Sequence, residues 1–199
     1  MLGLAAVLIW AGVGCNTSSE GLVLFADAEY DPMAVSDSNP PIQENQLEVA
    51  QTFTVLQTGK FDSFQMVVTQ GTPGGAGIIQ VDVRPLLMTG EPENTDVNSI
   101  IEPLMIDTTT LPQVTIEDYT VFDVSDQPFR DVEAGDEYAI VISFVSRSAG
   151  NVNEPIAIVY GRTGDEYPDG SGSLNPDGMG FTNNTSDYFF RTFSLQTVD

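Results

Sequence analysis

The chain has 199 residues and a formal net charge of −23, from 29 Asp and Glu against 6 Lys and Arg. A polyanion of that density is repelled by nucleic acid and by anionic headgroups, so the charge strongly disfavours nucleic-acid binding as a function. The absence of histidine removes Ser-His-Asp and Cys-His catalysis and His-ligated zinc or iron, and a single cysteine cannot close an internal disulfide.

In chain order, residues 2–13 form an apolar run of signal-peptide length, short of the ~20 residues that span a bilayer. The run ends in "IWAGVGC", where Gly12-Val13-Gly14 precede Cys15. This stretch resembles the lipobox of bacterial lipoproteins, in which the cysteine thiol is acylated and becomes the mature N-terminus. Two departures are Gly12, where that family prefers Leu, and the lack of Lys or Arg before the apolar run. The resemblance implies a signal peptide over 1–14, a lipid on Cys15 that holds the chain to a membrane, and a place in the cell envelope. Asn16 after the cysteine implies the outer membrane if the envelope is Gram-negative. The plainer alternative is a secretory signal with an incidental cysteine.

Residues 15–46 mix Asn, Ser, Asp, Glu and Pro and read as a tether, with an apolar first strand expected inside it at 21–26 ("GLVLFA"). From 47 to 199 the pattern becomes all-β. "VAQTFTV" (49–55), "FDSFQMVVT" (61–69), "GIIQVDVRPLL" (77–87), "SIIEPLMI" (99–106), "YTVFDVS" (119–125), "EYAIVISFVS" (137–146), "IAIVYGR" (156–162) and "DYFFRTFSL" (187–195) are short runs divided by turn residues. Alternation in Phe64, Met66, Val68 and in Ile79, Val81, Val83 marks a core face, with Gln80, Asp82 and Arg84 expected to face water. The central strand is expected in "DEYAIVISFV", apolar on both faces. About eight strands predict an antiparallel β-sandwich with Phe53, Phe64, Tyr138, Ile140, Ile142 and Phe190 in its core.

Three segments in order, "VAQTFTVLQTGKFDSFQMVV", "VFDVSDQPFRDVEAGDEYAIVIS" and "DYFFRTF", resemble the jelly-roll domains of bacterial surface and secreted proteins described as choice-of-anchor or carbohydrate-binding-module-like. The matching positions are Ala50, Gln51, Phe53, Ala134, Gly135, Tyr138, Ile140, Val141, Phe190, Arg191 and Thr192, across about residues 49 to 193. The resemblance implies a jelly-roll fold more than any activity. Members often carry tryptophan after the long central strand. Here Tyr160 takes that place, and the only tryptophan, Trp10, lies in the signal.

"GTPGGAG" (71–77) lacks the lysine of a phosphate loop and reads as a turn between strands. In "TGDEYPDGSGSLNPDGMG" (163–180), Asp165, Glu166, Asp169, Asn175 and Asp177 lie among glycines with no basic residue. Hard oxygen ligands on a flexible loop suit Ca²⁺ as a cofactor, with Asp165, Glu166, Asp169 and Asp177 as its carboxylates. The EF-hand spacing fails at Tyr167 and Pro176, and the competing reading is a solvated acidic loop.

The functional expectation is a non-catalytic, lipid-anchored surface module that binds a glycan or an envelope protein. Tyr160, Arg162, Tyr167 and Tyr188 are its candidate contacts, through aromatic stacking and the guanidinium fork. A structural or assembly lipoprotein of the envelope is the alternative. A glycosidase using two carboxylates ranks below both.

Overall fold

The computed structural model describes residues 21–30, 39–44, 47–71, 74–113, 120–127, 130–164 and 167–198. Cys15 and the expected signal, like Asp165 and Glu166, lie outside them. The strands are β1 (Gly21–Tyr30), β2 (Pro41–Ile42), β3 (Glu48–Thr54), β4 (Gly59–Met66), β5 (Val68–Gln70) and β6 (Ala76–Pro85). Then come β7 (Leu104–Asp107), β8 (Thr120–Asp123), β9 (Arg130–Val132), β10 (Glu137–Ala149) and β11 (Ala157–Val159). The last are β12 (Gly161–Thr163), β13 (Gly172–Asn175), β14 (Thr182–Asn183), β15 (Ser186–Tyr188) and β16 (Phe190–Val198).

The fold is an all-β, antiparallel sandwich. One large sheet runs β1-β16-β4-β8, with β9 also on β4, and the other runs β14-β13-β3-β10-β6-β7. The expected first strand is present and extends to Tyr30, as the partner of β16. Pro41–Ile42 of the expected tether is a short strand on β11, with Ile42 fully buried. All eight expected runs contain strands, while β2, β9, β13 and β14 arise where no strand was expected.

Period-2 patterning places the core between the sheets. Val49, Ile142 and Val81 form one cross-strand row, and Phe53 lies opposite Tyr138. From the facing sheet come Phe61, Phe64, Met66, Phe122 and Phe190, all buried. Phe53 links the layers, with ring centroids 6.3 Å from Phe61 and 6.0 Å from Phe190, while Phe64 stacks on its strand neighbour Phe122 at 5.0 Å. Burial of one such ring is worth about 1.5–3 kcal/mol. Five of the six expected core residues are buried to 1% exposure or less. Tyr138 is half-buried instead, because its hydroxyl reaches out to donate to Asp136 Oδ2 at 3.2 Å.

Three expected runs are each broken at one residue: Val67 between β4 and β5, Tyr160 between β11 and β12, Phe189 between β15 and β16. Those three residues bond to one another in a ring. Val67 N donates to Phe189 O (3.2 Å), Phe189 N to Tyr160 O (3.0 Å) and Tyr160 N to Val67 O (2.9 Å). At this junction β4 passes into the small β2-β11-β5 sheet, β11 into the β12-β15 ribbon, and β15 into β16 of the large sheet. Each chain crosses between sheets without leaving a buried amide unsatisfied.

The outward face of β6 departs from expectation. Asp82 and Arg84 are 0% and 2% exposed rather than facing water. Arg84 Nε donates to Asp82 Oδ1 (2.7 Å), and Nη2 reaches Asp82 Oδ2 (3.1 Å), Ser143 Oγ (3.2 Å) and Glu48 Oε1 (3.0 Å). Asn175 Nδ2 donates to Glu48 Oε2 at 2.6 Å, and Gln80 Nε2 bridges Asp82 and Asp96. Beside this network Phe181 packs with Ala50, Ala139 and Val141 in a second apolar cluster. Both faces of β10 are therefore buried at its centre, as its apolar pattern implied.

Candidate functional site

β1 and β16 pair regularly to Ala26↔Phe193 and resume at Glu29↔Arg191. The step takes three residues on β1 and two on β16, which is a β-bulge. A bulge lets successive side chains turn the same way. Asp27 and Ala28 are accordingly both buried. Thr192 holds the bulge: its hydroxyl accepts from Ala28 N (3.0 Å) and donates to Ala28 O (3.3 Å).

The bulge drives the Asp27 carboxylate into the turn that joins β3 to β4. Asp27 Oδ1 accepts from Leu56 N at 2.8 Å and Gln57 N at 2.9 Å. Its Oδ2 is buried and has no hydrogen-bond partner among the described residues. Desolvation raises the Asp27 pKa, and the two backbone amides offset it only in part. Two tyrosine rings lie alongside and pack on two phenylalanines. Tyr30 is 6.3 Å from Tyr167 and 5.8 Å from Phe189, centroid to centroid, and Tyr167 sits edge-on to Phe190 at 5.1 Å. Tyr167 is pinned by its amide, which donates to Asp187 Oδ2 at 2.8 Å. Burial first, then the charge of Asp169, pushes the Tyr167 phenol up to about 12. The Tyr167 hydroxyl is buried and has no hydrogen-bond partner among the described residues.

These side chains border an open cleft of about 490 Å³, lined by Asp27, Glu29, Tyr30, Leu56, Tyr167, Pro168 and Asp169. Its charged lining is acidic throughout. Glu29 and Asp169 are exposed at the rim, and Asp27 is the buried member. On the far side of Pro168-Asp169 a second hollow of about 280 Å³ lies over β3.

Of the candidate contacts, only Tyr167 reaches this cleft. Tyr188 is fully buried and offers no face to a ligand. Its ring passes between Gly161 and Gly172, where an added Cβ would stand 2.7 and 2.9 Å from ring carbons. Asn184 Nδ2 donates to its hydroxyl, and burial raises its pKa. Tyr160 is a half-buried member of the strand junction, and Arg162 is half-buried opposite Asp187 in the β12-β15 ribbon.

The expected acidic loop at 163–180 is not a continuous loop, because it contains β13, paired with β3. Asn175 is buried and committed to Glu48 and to Gly180 N. Asp169 precedes β13 and Asp177 follows it. Asp177 Oδ1 caps its own turn by accepting from Met179 N at 3.1 Å. No group of three or more carboxylate, His or Cys side chains suited to a metal occurs among the described residues.

Asp27 and Tyr30 were not expected at a site. The available signal was Asp27, the first of two carboxylates that interrupt the apolar strand "GLVLFADAEY". Compared with family models and with curated proteins, the chain matches none.

Proposed function

We propose that the chain is a non-catalytic binding module of the bacterial cell surface, lipid-anchored through Cys15, on a jelly-roll sandwich of the choice-of-anchor or carbohydrate-binding-module-like kind. The observation that carries the binding reading is Asp27 Oδ2, a buried acceptor with no partner among the described residues, beside an open cleft bordered by Tyr30 and Tyr167. Leaving such a group unsatisfied costs about 1–3 kcal/mol, a cost that a ligand donating to it would offset. The bulge and the Thr192 clamp hold the carboxylate in place before any ligand arrives, so little ordering is required on binding. The non-catalytic reading rests on a chain without histidine and on a cleft with a single buried carboxylate. The lipid reading rests on the residues around Cys15 alone.

Two measurements test the proposal. Cys15→Ser should move the chain from the membrane to the soluble fraction, and continued membrane association overturns the anchor. The soluble protein and its Asp27→Asn variant are then compared on arrays of glycans, peptides and amines. Binding that Asp27→Asn weakens supports the module, and the absence of any Asp27-dependent binding overturns it.

A further inference from the structure

We infer that the cleft at Asp27 takes an organic cation, an ammonium or guanidinium group carried on an apolar stem. This rests on the binding-module reading and names its ligand class. Among the described residues, three carboxylates, Asp27, Glu29 and Asp169, line the cleft, and no Lys or Arg does. At the rim, Arg191 Nε lies 3.6 Å from Glu29 Oε2. The buried carboxylate has its Oδ1 taken by two amides, so what Oδ2 still demands is a donor. A charged donor makes the shorter and stronger bond to a carboxylate. The surrounding chain, at −23, draws cations toward it.

Two other ligand classes fit less well. A Ca²⁺ ion requires six to eight oxygens, whereas the cleft offers one buried carboxylate and two exposed ones, and no metal-binding cluster occurs among the described residues. A neutral sugar requires donors as well as acceptors and an open aromatic face. The charged lining here only accepts, the Tyr167 hydroxyl that can donate is buried, and Tyr30 and Tyr167 are only 9% and 7% exposed. What remains matches a cation on a stem. Leu56, half-exposed, and Pro168 provide apolar surface along which methylenes can lie. A volume of about 490 Å³ falls within the size range of small-molecule sites and far exceeds a bare ion.

The test is calorimetric titration of the full chain with 1,5-diaminopentane and, separately, with N-acetyl-lysine methylamide. NaCl and CaCl₂ at equal ionic strength are the controls. Saturable one-site binding of either amine is expected, weakened at least tenfold by Asp27→Asn and less by Glu29→Gln/Asp169→Asn. Preference for the lysine derivative assigns the cleft to a basic side chain of a partner protein, and preference for the diamine to a free amine. Circular dichroism confirms that each variant is folded, and the rim variant keeps the test decisive if Asp27→Asn is not. Amine binding that is unchanged in both variants, or matched by the salts, overturns the inference. If both amines fail while a glycan binds in an Asp27-dependent manner, the cation assignment falls and the binding module stands. If nothing binds in that manner, both fall.

Discussion

Arg84 and Asp82, two residues apart on β6, close a bidentate pair at 2.7 and 3.1 Å on the face of the sheet turned away from the main core. Glu48 of β3 holds the same guanidinium at 3.0 Å, so one cation serves two nearly buried carboxylates. Burial alone would lower the Arg84 pKa, but the bonds and charges of Asp82 and Glu48 outweigh it and raise it. Arg84→Met should therefore destabilise the fold by about 3–5 kcal/mol, because the buried Asp82 and the partly buried Glu48 lose their cation. Arg84→Met/Asp82→Leu should recover part of that loss. Urea midpoints check both, and a neutral single variant would show that the pair is solvated in solution.

Asp27→Asn should stabilise the protein at neutral pH. Burial raises the native pKa of Asp27 above its ordinary 3.8. The native state thus holds the proton to higher pH than the unfolded chain, and the ionised form carries a cost. That cost is fully present above the native pKa and fades as pH falls through it toward 3.8. The variant's advantage in denaturant midpoint should be largest at pH 7 and close near pH 4. Asp107 and Asp123, whose pKa values are lowered by bonds from Thr109 and Ser125, act with the opposite sign. They are common to both proteins and cancel in the difference.

Phe64→Ala or Phe190→Ala should each cost about 3–5 kcal/mol, since both rings are 0% exposed within the aromatic core. Phe193→Ala, on a half-buried position of the same β16, should cost less. Equal losses at Phe64 and Phe193 in thermal melts would contradict the assigned faces of the sheet.

Added NaCl should raise the melting temperature gradually, because few cations pair the 29 carboxylates and their repulsion reaches ~30 Å at 0.01 M salt against ~8 Å at physiological strength. Ca²⁺ at matched ionic strength should do no more. A larger effect at micromolar to millimolar Ca²⁺, lost in Asp165→Asn/Asp169→Asn, would instead place an ion on that loop.

Strand positions and the aromatic core were legible from one-dimensional patterning, because alternation with period 2 is a local property that Phe64, Met66, Ile79 and Val81 display by themselves. The depth of β10 was legible for the same reason, from apolar residues on both of its faces. The same alternation put Asp82 and Arg84 in water, since it identifies the face opposite the core and says nothing about what covers that face. Glu48 of β3 and Ser143 of β10 come to Arg84 from other strands, Asn175 of β13 holds Glu48 in turn, and Phe181 covers the neighbouring surface. The cleft was partly legible in Tyr167 and Asp169, but its buried carboxylate was not. A bulge set by the pairing of β1 with β16, two segments at opposite ends of the described chain, turned Asp27 inward onto the amides of Leu56 and Gln57. Val67, Tyr160 and Phe189 read as ordinary strand residues, and the ring of backbone bonds they form exists only where three strands change sheets. Local composition determined most of the strands and the aromatic core, but not β2, β9, β13 or β14. Long-range pairing decided which polar groups lost water, because desolvation depends on what packs against a face and not on the residues within it.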